Sequence, residues 1–165
     1  MADGSNPKQY WLVKSEEDVY SIDHLEEDGR TMWDGIRNYE ARNTMRDLMK
    51  PGDSVLYYHS NASPPGVAGM ARVASEPYAD PFQFDSDSPY FDPKATPGEP
   101  RWFLVDMAFV EKFSRLVPLA EIREHPGLED MTLLKRMRLS VQPVEPDHFE
   151  IVCSLGRDPE ASPAM

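Results

Sequence analysis

The sequence predicts an α+β fold, a mainly β, partly open barrel of about five to six strands with short helices at its periphery. Five segments have strand character, at 10–14, 54–59, 67–73, 102–113 and 140–144. The helical segments are short and do not alternate with these strands in the regular rhythm of a parallel α/β sheet. A chain of 165 residues buries about 70% of its unfolded surface, enough for one core. We therefore expect one domain over 9–156, between tails at 1–8 and 157–165.

The strand predictions rest on composition and on turn residues. The segment 10–14 is nearly continuous in apolar character, which is typical of a strand covered on both faces. The segments 54–59 and 67–73 flank a Pro- and Gly-rich turn and are expected to pair. The longest strand signal is 102–113, and Pro143 places the last strand at a sheet edge because proline cannot donate to the ladder.

The helix predictions rest on capping residues, prolines and helical apolar spacing. Ser21 can cap a short helix that Gly29 ends, and Gly156 stands where a glycine would end the last helix. Apolar residues at i, i+4, i+7 and i+8 form one helical stripe within 39–50. Six prolines within 77–100 exclude a helix there, and its aromatic residues favour an ordered excursion across the surface. The helices are predicted at 21–29, 39–50, from 118, 128–137 and 146–156.

The charge balance argues against a protein that coats nucleic acid. The chain has 17 basic and 29 acidic residues, a net charge of −12, and a sequence pI near 4.7, so it can neutralise few phosphates. Two stretches, 30–50 and 135–138, are locally richer in basic residues. They predict either a local basic patch or the solvated faces of an ordinary acidic protein.

The sequence lacks the signals of disulfide-bonded, membrane-spanning and secreted proteins. A single cysteine, Cys153, cannot close an intramolecular disulfide, and no apolar run approaches the roughly 20 residues of a membrane span. The first residues have neither the basic nor the apolar region of a secretory signal. We expect a cytoplasmic protein if the source is bacterial and a nuclear one if it is eukaryotic.

The sequence also lacks the motifs of most catalytic sites. There is no glycine-rich phosphate loop, and the four histidines have no partner at i+3 or i+4 that would make a local zinc site. His59 and Ser60 are neighbours on a predicted strand, so they point to opposite faces and cannot share a proton. We expect no metal and no cofactor.

The segment 33–43, Trp-Asp-Gly-Ile-Arg-Asn-Tyr-Glu-Ala-Arg-Asn, holds polar side chains that the core does not require. Trp33 offers a large flat surface beside amide and guanidinium groups, a combination that suits a planar polar ligand such as a base. The alternative is that Trp33 belongs to the core and that the polar residues cap and solvate the helix. The polar residues off the apolar stripe are Arg37, Asn38, Arg42 and Asn43.

Six motifs, in this order, resemble the EVE domain family of thymocyte nuclear protein 1-like proteins. They lie at 10–16, 33–43, 57–60, 90–93, 100–102 and 138–143. The resemblance covers about 10–156, with departures at Glu17, where the family usually has proline, and at Ile36, where it often has valine. It implies a PUA-like pseudo-barrel and a non-enzymatic, nucleic-acid-binding function that reads a modified base, with modified cytosine such as 5-methylcytosine first.

The resemblance also implies a set of site residues. Trp33 would stack on a flipped base or on a base of a single strand, Tyr58 and Ser60 would line the opposite wall, and Arg37 would meet the backbone. The partner would be nucleic acid or a modified nucleotide, bound by a monomer. The implied base-binding residues are Lys14, Ser15, Trp33, Asn38, Tyr58 and Ser60. The implied backbone-binding residues are Arg37, Arg138 and Ser140.

Two alternative functions stay open at this point. One is an RNA-binding module similar to PUA and ASCH domains, for which shape matters more than one methyl group. The other is a hydrolase of modified nucleosides that uses Lys14 and Glu16, which share a strand face at i and i+2.

Overall fold

The computed structural model describes residues 8–157. The predicted tails therefore lie outside the described residues, apart from Lys8 and Arg157. Arg157 is the last residue of a helix, and its guanidinium lies 2.9 Å from the Glu111 carboxylate. The last helix thus extends one residue beyond the predicted domain.

Within this range the chain forms eight strands and five α-helices. The strands are β1 (Tyr10–Glu16), β2 (Arg30–Met32), β3 (Ser54–Ser60), β4 (Gly66–Val73), β5 (Tyr78–Ala79), β6 (Phe103–Leu104), β7 (Asp106–Pro118) and β8 (Val141–Pro143). The helices are α1 (Ile22–Asp28), α2 (Tyr39–Asn43), α3 (Leu119–Glu124), α4 (Thr132–Lys135) and α5 (Pro146–Arg157). A π-helical turn, Thr44–Leu48, continues α2, and a 3-10 turn spans Pro81–Phe84.

Six of the strands form one sheet in the order β2-β7-β4-β3-β1-β8. β1 and β3 run parallel, and the other neighbours are antiparallel. The register shifts within the β3–β4 and β4–β7 pairs, and such bulges increase the twist and curl of a sheet. The resulting curled half-barrel with short helices confirms the predicted α+β fold, including the position of β8 at an edge.

The sheet separates two hydrophobic cores because successive strand residues point to opposite faces. Tyr57 of β3 packs in a first core with α1 and α2. The next residue, Tyr58, packs in a second core with α3 and α5. This alternation decides which predicted site residues can meet.

Three element predictions need correction. The strand predicted over 102–113 is wrong as one strand, because Val105 separates β6 from β7, which belong to different sheets. The helix predicted over 128–137 is reduced to α4, four residues long. β2 was not predicted because its three residues are exposed or half-buried and lack the alternation of apolar and polar residues that is typical of a strand.

Gly156 was predicted to end the last helix, but it lies within α5. A Cβ atom at this position would come within 2.2 Å of the Phe113 ring. The glycine therefore permits the close approach of α5 to β7, a packing role that its place near the helix end does not reveal.

The excursion 77–100 is ordered, as predicted. Gln83 is fully buried and donates to the carbonyls of Asp80 and Trp102, at 2.8 and 2.7 Å. Its side-chain oxygen accepts from the backbone N–H of Arg101 and of Trp102, both at 2.9 Å. These bonds join the beginning and the end of the segment that carries Tyr90. Of the helices within 8–157, none is long and apolar enough to cross a membrane.

Candidate functional site

A cavity of about 410 Å³ opens beside β1, β2 and the loop that follows β2. This volume lies in the range of small-ligand sites, roughly 300–1,000 Å³. We call this cavity the Trp33 pocket. Its lining residues are Lys14, Ser15, Val19, Tyr20, Thr31, Met32, Trp33, Asp34, Gly35, Ile36 and Tyr90.

Trp33 belongs both to the first core and to the pocket. Its side chain is packed among buried residues, with 8% of the residue exposed, and its ring meets that of Tyr57 edge-on at 5.5 Å. Its backbone N–H donates to the Val105 carbonyl at 3.0 Å. Trp33 is therefore a core residue, as the alternative interpretation predicts, and it also lines the cavity.

The loop after Trp33 is held in one conformation. Gly35 has φ of +79°, a backbone conformation that favours glycine, and a Cβ there would displace the Tyr90 ring, whose Cζ would lie 2.8 Å away. The buried Asp80 carboxylate accepts from the backbone N–H of Gly35 at 3.0 Å and of Phe82 at 2.8 Å. The pocket wall formed by Gly35 and Tyr90 is therefore preorganised.

Asp34 brings a carboxyl group to the pocket lining. Partial burial raises the pKa of the Asp34 carboxyl above its usual value, and the nearby Asp80 carboxylate raises it further. A carboxylate in such a site can accept a hydrogen bond from an amino group, as Asp and Glu do from N4 of cytosine. Asp34 was not among the predicted site residues, although its place between Trp33 and Gly35 was the available signal.

Lys14 and Ser15, two of the implied base-binding residues, line the pocket with Trp33. The Ser15 hydroxyl lies beside the Tyr57 hydroxyl. The Lys14 ammonium donates to the Met137 carbonyl and lies 5.6 Å from the centre of the Tyr58 ring. Burial lowers the pKa of Lys14. The ammonium group thus has protein partners in the groove lining and in the second core.

A second cavity, of about 340 Å³, lies between α2 and the segment that joins α4 to β8. Arg138 is exposed and makes no ion pair with any residue of 8–157, whereas Arg136 lies 2.7 Å from the Glu40 carboxylate. We call this cavity the basic groove, and it supports the local basic patch predicted for 135–138. Its lining residues are Asn38, Glu40, Lys135, Arg136, Met137, Arg138 and Leu139.

The basic groove adjoins the Trp33 pocket. Met137 lines the groove, and its carbonyl accepts from Lys14, which lines the pocket. Asn38 lines the groove two residues after Ile36, which lines the pocket. The Asn38 side-chain oxygen accepts from the Ala41 N–H at 2.9 Å and caps α2. Asn38 therefore lies beside the groove rather than with Trp33.

The predicted wall of Tyr58 and Ser60 opposite Trp33 is wrong. Tyr58 is 4% exposed and lies in the second core, on the other face of the sheet from Tyr57 and Trp33. Ser60 is the last residue of β3, opposite Glu16, and does not line the pocket. Alternation along β3 directs the Tyr57 side chain to the face of Trp33 and the Tyr58 side chain to the other face of the sheet.

Arg37 does not present a free guanidinium to a nucleic-acid backbone, which corrects the implied role. Its side chain donates to the Asp80 carboxylate at 3.1 Å and to the Tyr90 carbonyl at 2.9 Å. Arg37 instead joins the loop after Trp33 to the excursion that carries Tyr90. Ser140, also implied as backbone-binding, lines neither cavity, and its carbonyl accepts from the Lys14 N–H at 3.0 Å.

Two aromatic residues of the pocket were missed. The Tyr20 hydroxyl donates to the Asp28 carboxylate at 2.6 Å, and burial, together with that carboxylate, raises the pKa of Tyr20 to about 12. Tyr90 is 42% exposed at the pocket edge. Its membership of the motif 90–93 was a signal for Tyr90, whereas no pattern in the sequence indicated Tyr20.

The described residues show no metal site. Within 8–157, no three His, Cys, Asp or Glu side chains come together in a group that could hold an ion. The two cavities bring together aromatic rings, the carboxyl groups of Asp34 and Glu40, and cationic side chains.

Comparisons with known proteins agree with these motifs. The sequence model of the EVE domain matches residues 9–155. Human thymocyte nuclear protein 1 is 37% identical over 169 residues, which cover 91% of this chain and 75% of the human protein.

Two solved structures are similar over nearly their whole length. A hypothetical protein from Leishmania major has a TM-score of 0.87 and 43% identity, and the match covers 91% of this chain and 95% of that one. The human THYN1 protein in complex with 5-methylcytosine-containing DNA has a TM-score of 0.84 and 37% identity, covering 92% and 99%. The chain therefore belongs to the EVE domain family.

Proposed function

We propose that this protein binds nucleic acid and reads a modified base, with 5-methylcytosine first, without carrying out a chemical step. A similar protein, human THYN1, has been solved with DNA that contains 5-methylcytosine. The match spans 92% of this chain. The pocket and the groove of this chain offer the groups that such a ligand requires.

The observation that carries the proposal is the pairing of Trp33 with Asp34 in one cavity of about 410 Å³. An indole ring can stack on a base, and a carboxylate can accept from the exocyclic amino group of cytosine. Thymine and uracil have a carbonyl at the corresponding position, so the carboxylate would repel them. This contrast favours cytosine over the other pyrimidines.

Apolar side chains at the same cavity suit a methyl group on the base. Val19, Met32 and Ile36 line the pocket, and Val19 and Met32 are 70% and 38% exposed. An apolar contact with a methyl group discriminates by roughly 10- to 200-fold in favourable pockets. We expect the preference for 5-methylcytosine over cytosine to lie at the lower end, because the cavity is open at its mouth.

The basic groove would hold the phosphates beside the bound base. Arg138 is the cation best placed for this role, since it is exposed and makes no ion pair within 8–157. The net charge of −12 limits the extent of backbone binding. Because extracting a base costs less from a single strand than from a duplex, the protein should prefer single strands.

The hydrolase alternative requires Lys14 and Glu16 to converge on a ligand. Lys14 lines the Trp33 pocket, but its ammonium donates to the Met137 carbonyl. Glu16 is exposed, is absent from the pocket lining, and accepts from the Asn61 side chain at 3.4 Å. This arrangement does not support a general acid and base at one substrate, so we do not propose a hydrolase.

We propose that the protein acts as a monomer. Light scattering during size-exclusion chromatography checks this point. The expected mass is 18.8 kDa, and a stable dimer would contradict it.

The experiment that tests the function is a binding titration with matched oligonucleotides, in DNA and in RNA, single and double stranded. Each carries cytosine, 5-methylcytosine, 5-hydroxymethylcytosine or N6-methyladenine at one position. We expect the tightest binding to single-stranded DNA with 5-methylcytosine. Equal binding to all bases would contradict a base reader, and a preference for structured RNA over every modification would favour the RNA-binding module.

A further inference from the structure

A half-exposed tyrosine lies close to the Trp33 pocket, outside both cavities. Tyr39 is the first residue of α2 and is 50% exposed. Its ring stacks on that of Trp102, with the centroids 4.8 Å apart and the planes at 22°. Trp102 is 6% exposed, and its indole N–H donates to Asp92 at 2.8 Å. A buried partner thus holds the Tyr39 ring in one orientation at the surface.

Two guanidinium groups lie beside this ring, and that of Arg46 is joined to that of Arg42 through Asn43. Cζ of Arg42 is 4.7 Å from the Tyr39 centroid, and Nη1 of Arg101 is 3.4 Å from the Tyr39 hydroxyl. Arg46 donates to the side-chain oxygen of Asn43 at 3.4 Å, and the same oxygen accepts from Arg42 at 2.8 Å. We call Tyr39, Arg42, Arg46 and Arg101 the tyrosine platform.

The platform has an excess of positive charge. Arg46 pairs with Asp47 at 2.8 Å, and Arg101 lies 3.9 Å from Asp92. Arg42 makes no ion pair with a residue of 8–157, although it donates to a backbone carbonyl at 2.7 Å. Burial lowers the pKa of Arg42, and repulsion from Arg46 and Arg101 lowers it further. An anion at this surface would relieve the repulsion.

One side chain connects the platform to the pocket. Cζ of Arg37 lies 5.3 Å from the centroid of Tyr90 and 5.4 Å from that of Trp102. Tyr90 lines the pocket, and Trp102 supports Tyr39. The platform and the pocket are therefore joined through Tyr90, Arg37 and Trp102.

We propose that the tyrosine platform binds a nucleotide that flanks the modified base in a single strand. The flanking base stacks on Tyr39, and its phosphate lies against Arg42. This inference rests on the proposed function. Stacking on an aromatic ring tolerates any base, and arginines bind the backbone, which together are the means by which proteins hold single strands without reading their sequence.

The test compares three probes that differ in the flanking position. The first is a short thymidine single strand with one central 5-methylcytosine, and the second has abasic residues beside that base. The third is the nucleotide 5-methyl-dCMP. For Tyr39→Ala we expect a loss of about tenfold in affinity for the first probe. The same variant should bind the abasic strand and 5-methyl-dCMP as the wild type does.

Two further variants separate stacking from charge. Tyr39→Phe retains the ring and should bind all three probes like the wild type. Arg42→Gln should lower the slope of log affinity against log salt for the strand by about 0.7, the value for one phosphate contact on a single strand. Arg72→Gln, at an exposed position of β4 outside both cavities, is the matched control and should leave the slope unchanged.

Two results would overturn the platform. One is a Tyr39→Ala protein that binds the thymidine strand as tightly as the wild type. The other is an equal loss for 5-methyl-dCMP, which would mean that the substitution distorts the pocket through Trp102. If Tyr39→Ala does not fold, Tyr39→Leu replaces it, since leucine retains the apolar contact but cannot stack. If the proposed function is wrong, the result is different, because the wild type then binds cytosine and 5-methylcytosine strands equally. In that case the affinities of the wild type and of Tyr39→Ala for a plain thymidine strand test the platform.

Discussion

The Trp33 pocket and the basic groove share a border at Lys14 and Met137 but differ in chemistry. The pocket has the rings of Tyr20, Trp33 and Tyr90 and a carboxyl group from Asp34. The groove has three cationic side chains, of which one is paired with Glu40 at close range. The first arrangement suits a base, and the second suits a phosphate.

This difference shows how an acidic protein can bind an anionic polymer. With a net charge of −12, long-range attraction to DNA is absent, so affinity has to come from short-range contacts with a base. A few local cations then fix the position of the backbone. Contacts with bases determine specificity, whereas contacts with phosphates position the protein on the strand and make its affinity depend on salt.

The largest effect is expected at Trp33, where the pocket and the first core coincide. Trp33→Ala removes the stacking surface and leaves a cavity in the core, so base binding should be lost and the free energy of unfolding should fall by about 3–5 kcal/mol. Urea unfolding and binding of 5-methyl-dCMP measure the two effects. Trp33→Phe retains a ring and should keep more of both. Normal affinity of the alanine variant would show that Trp33 does not contact the base.

The next largest effect is expected at Asp34, whose negative charge in the pocket contrasts with the positive charges of the groove. Asp34→Asn should weaken binding of 5-methyl-dCMP by about tenfold, because a hydrogen bond to a charged acceptor becomes one to a neutral acceptor. Wild-type affinity should decline as the pH falls through the raised pKa of Asp34, and this decline should be absent in the variant. An unchanged pH profile would show that Asp34 does not contact the base.

Asp34→Asn also has an expected effect on stability. Since the pKa of Asp34 is raised in the folded protein, its ionised form is disfavoured there, and this destabilises the fold above the raised pKa. The variant should therefore melt at a higher temperature than the wild type at pH 7. The difference should disappear as the pH falls below the ordinary aspartate pKa of about 4. A lower melting temperature at pH 7 would contradict the assigned cause of the shift.

The smallest effect is expected at Arg138 in the groove. Arg138→Gln should weaken binding of cytosine and 5-methylcytosine strands by the same factor, a few-fold at low salt, and lower the salt slope by about 0.7. Fluorescence anisotropy at several salt concentrations measures both quantities, with Arg72→Gln as the control. A change in the preference between the two bases would contradict the separation of the pocket from the groove.

The sequence predicted the fold more completely than the site. Ser21 and Gly29 do bracket α1, and the Pro- and Gly-rich turn does join β3 and β4, because these signals act over a few residues. The Trp33 pocket instead combines β1, β2 and Tyr90 of a distant excursion. No local pattern indicates which face of a strand such a cavity occupies.

The wrong site residues share a physical cause. The motif 57–60 placed Tyr58 near Trp33 in the sequence analysis, but the neighbouring Tyr57 points to that face of the sheet. Arg37 was assigned to the backbone by its charge, whereas its bonds to Asp80 and Tyr90 depend on a loop more than 40 residues away. Local propensity and charge do not encode such distant partners.

We propose that the pocket distinguishes bases while the groove supplies the salt-dependent contacts. The most direct measurement is the ratio of the affinities of the wild type for two single strands, with 5-methylcytosine and with cytosine, as the salt concentration rises. We predict that both affinities fall while their ratio stays constant. A ratio that declines to one at high salt would show that discrimination comes from the backbone contacts, and it would contradict the account.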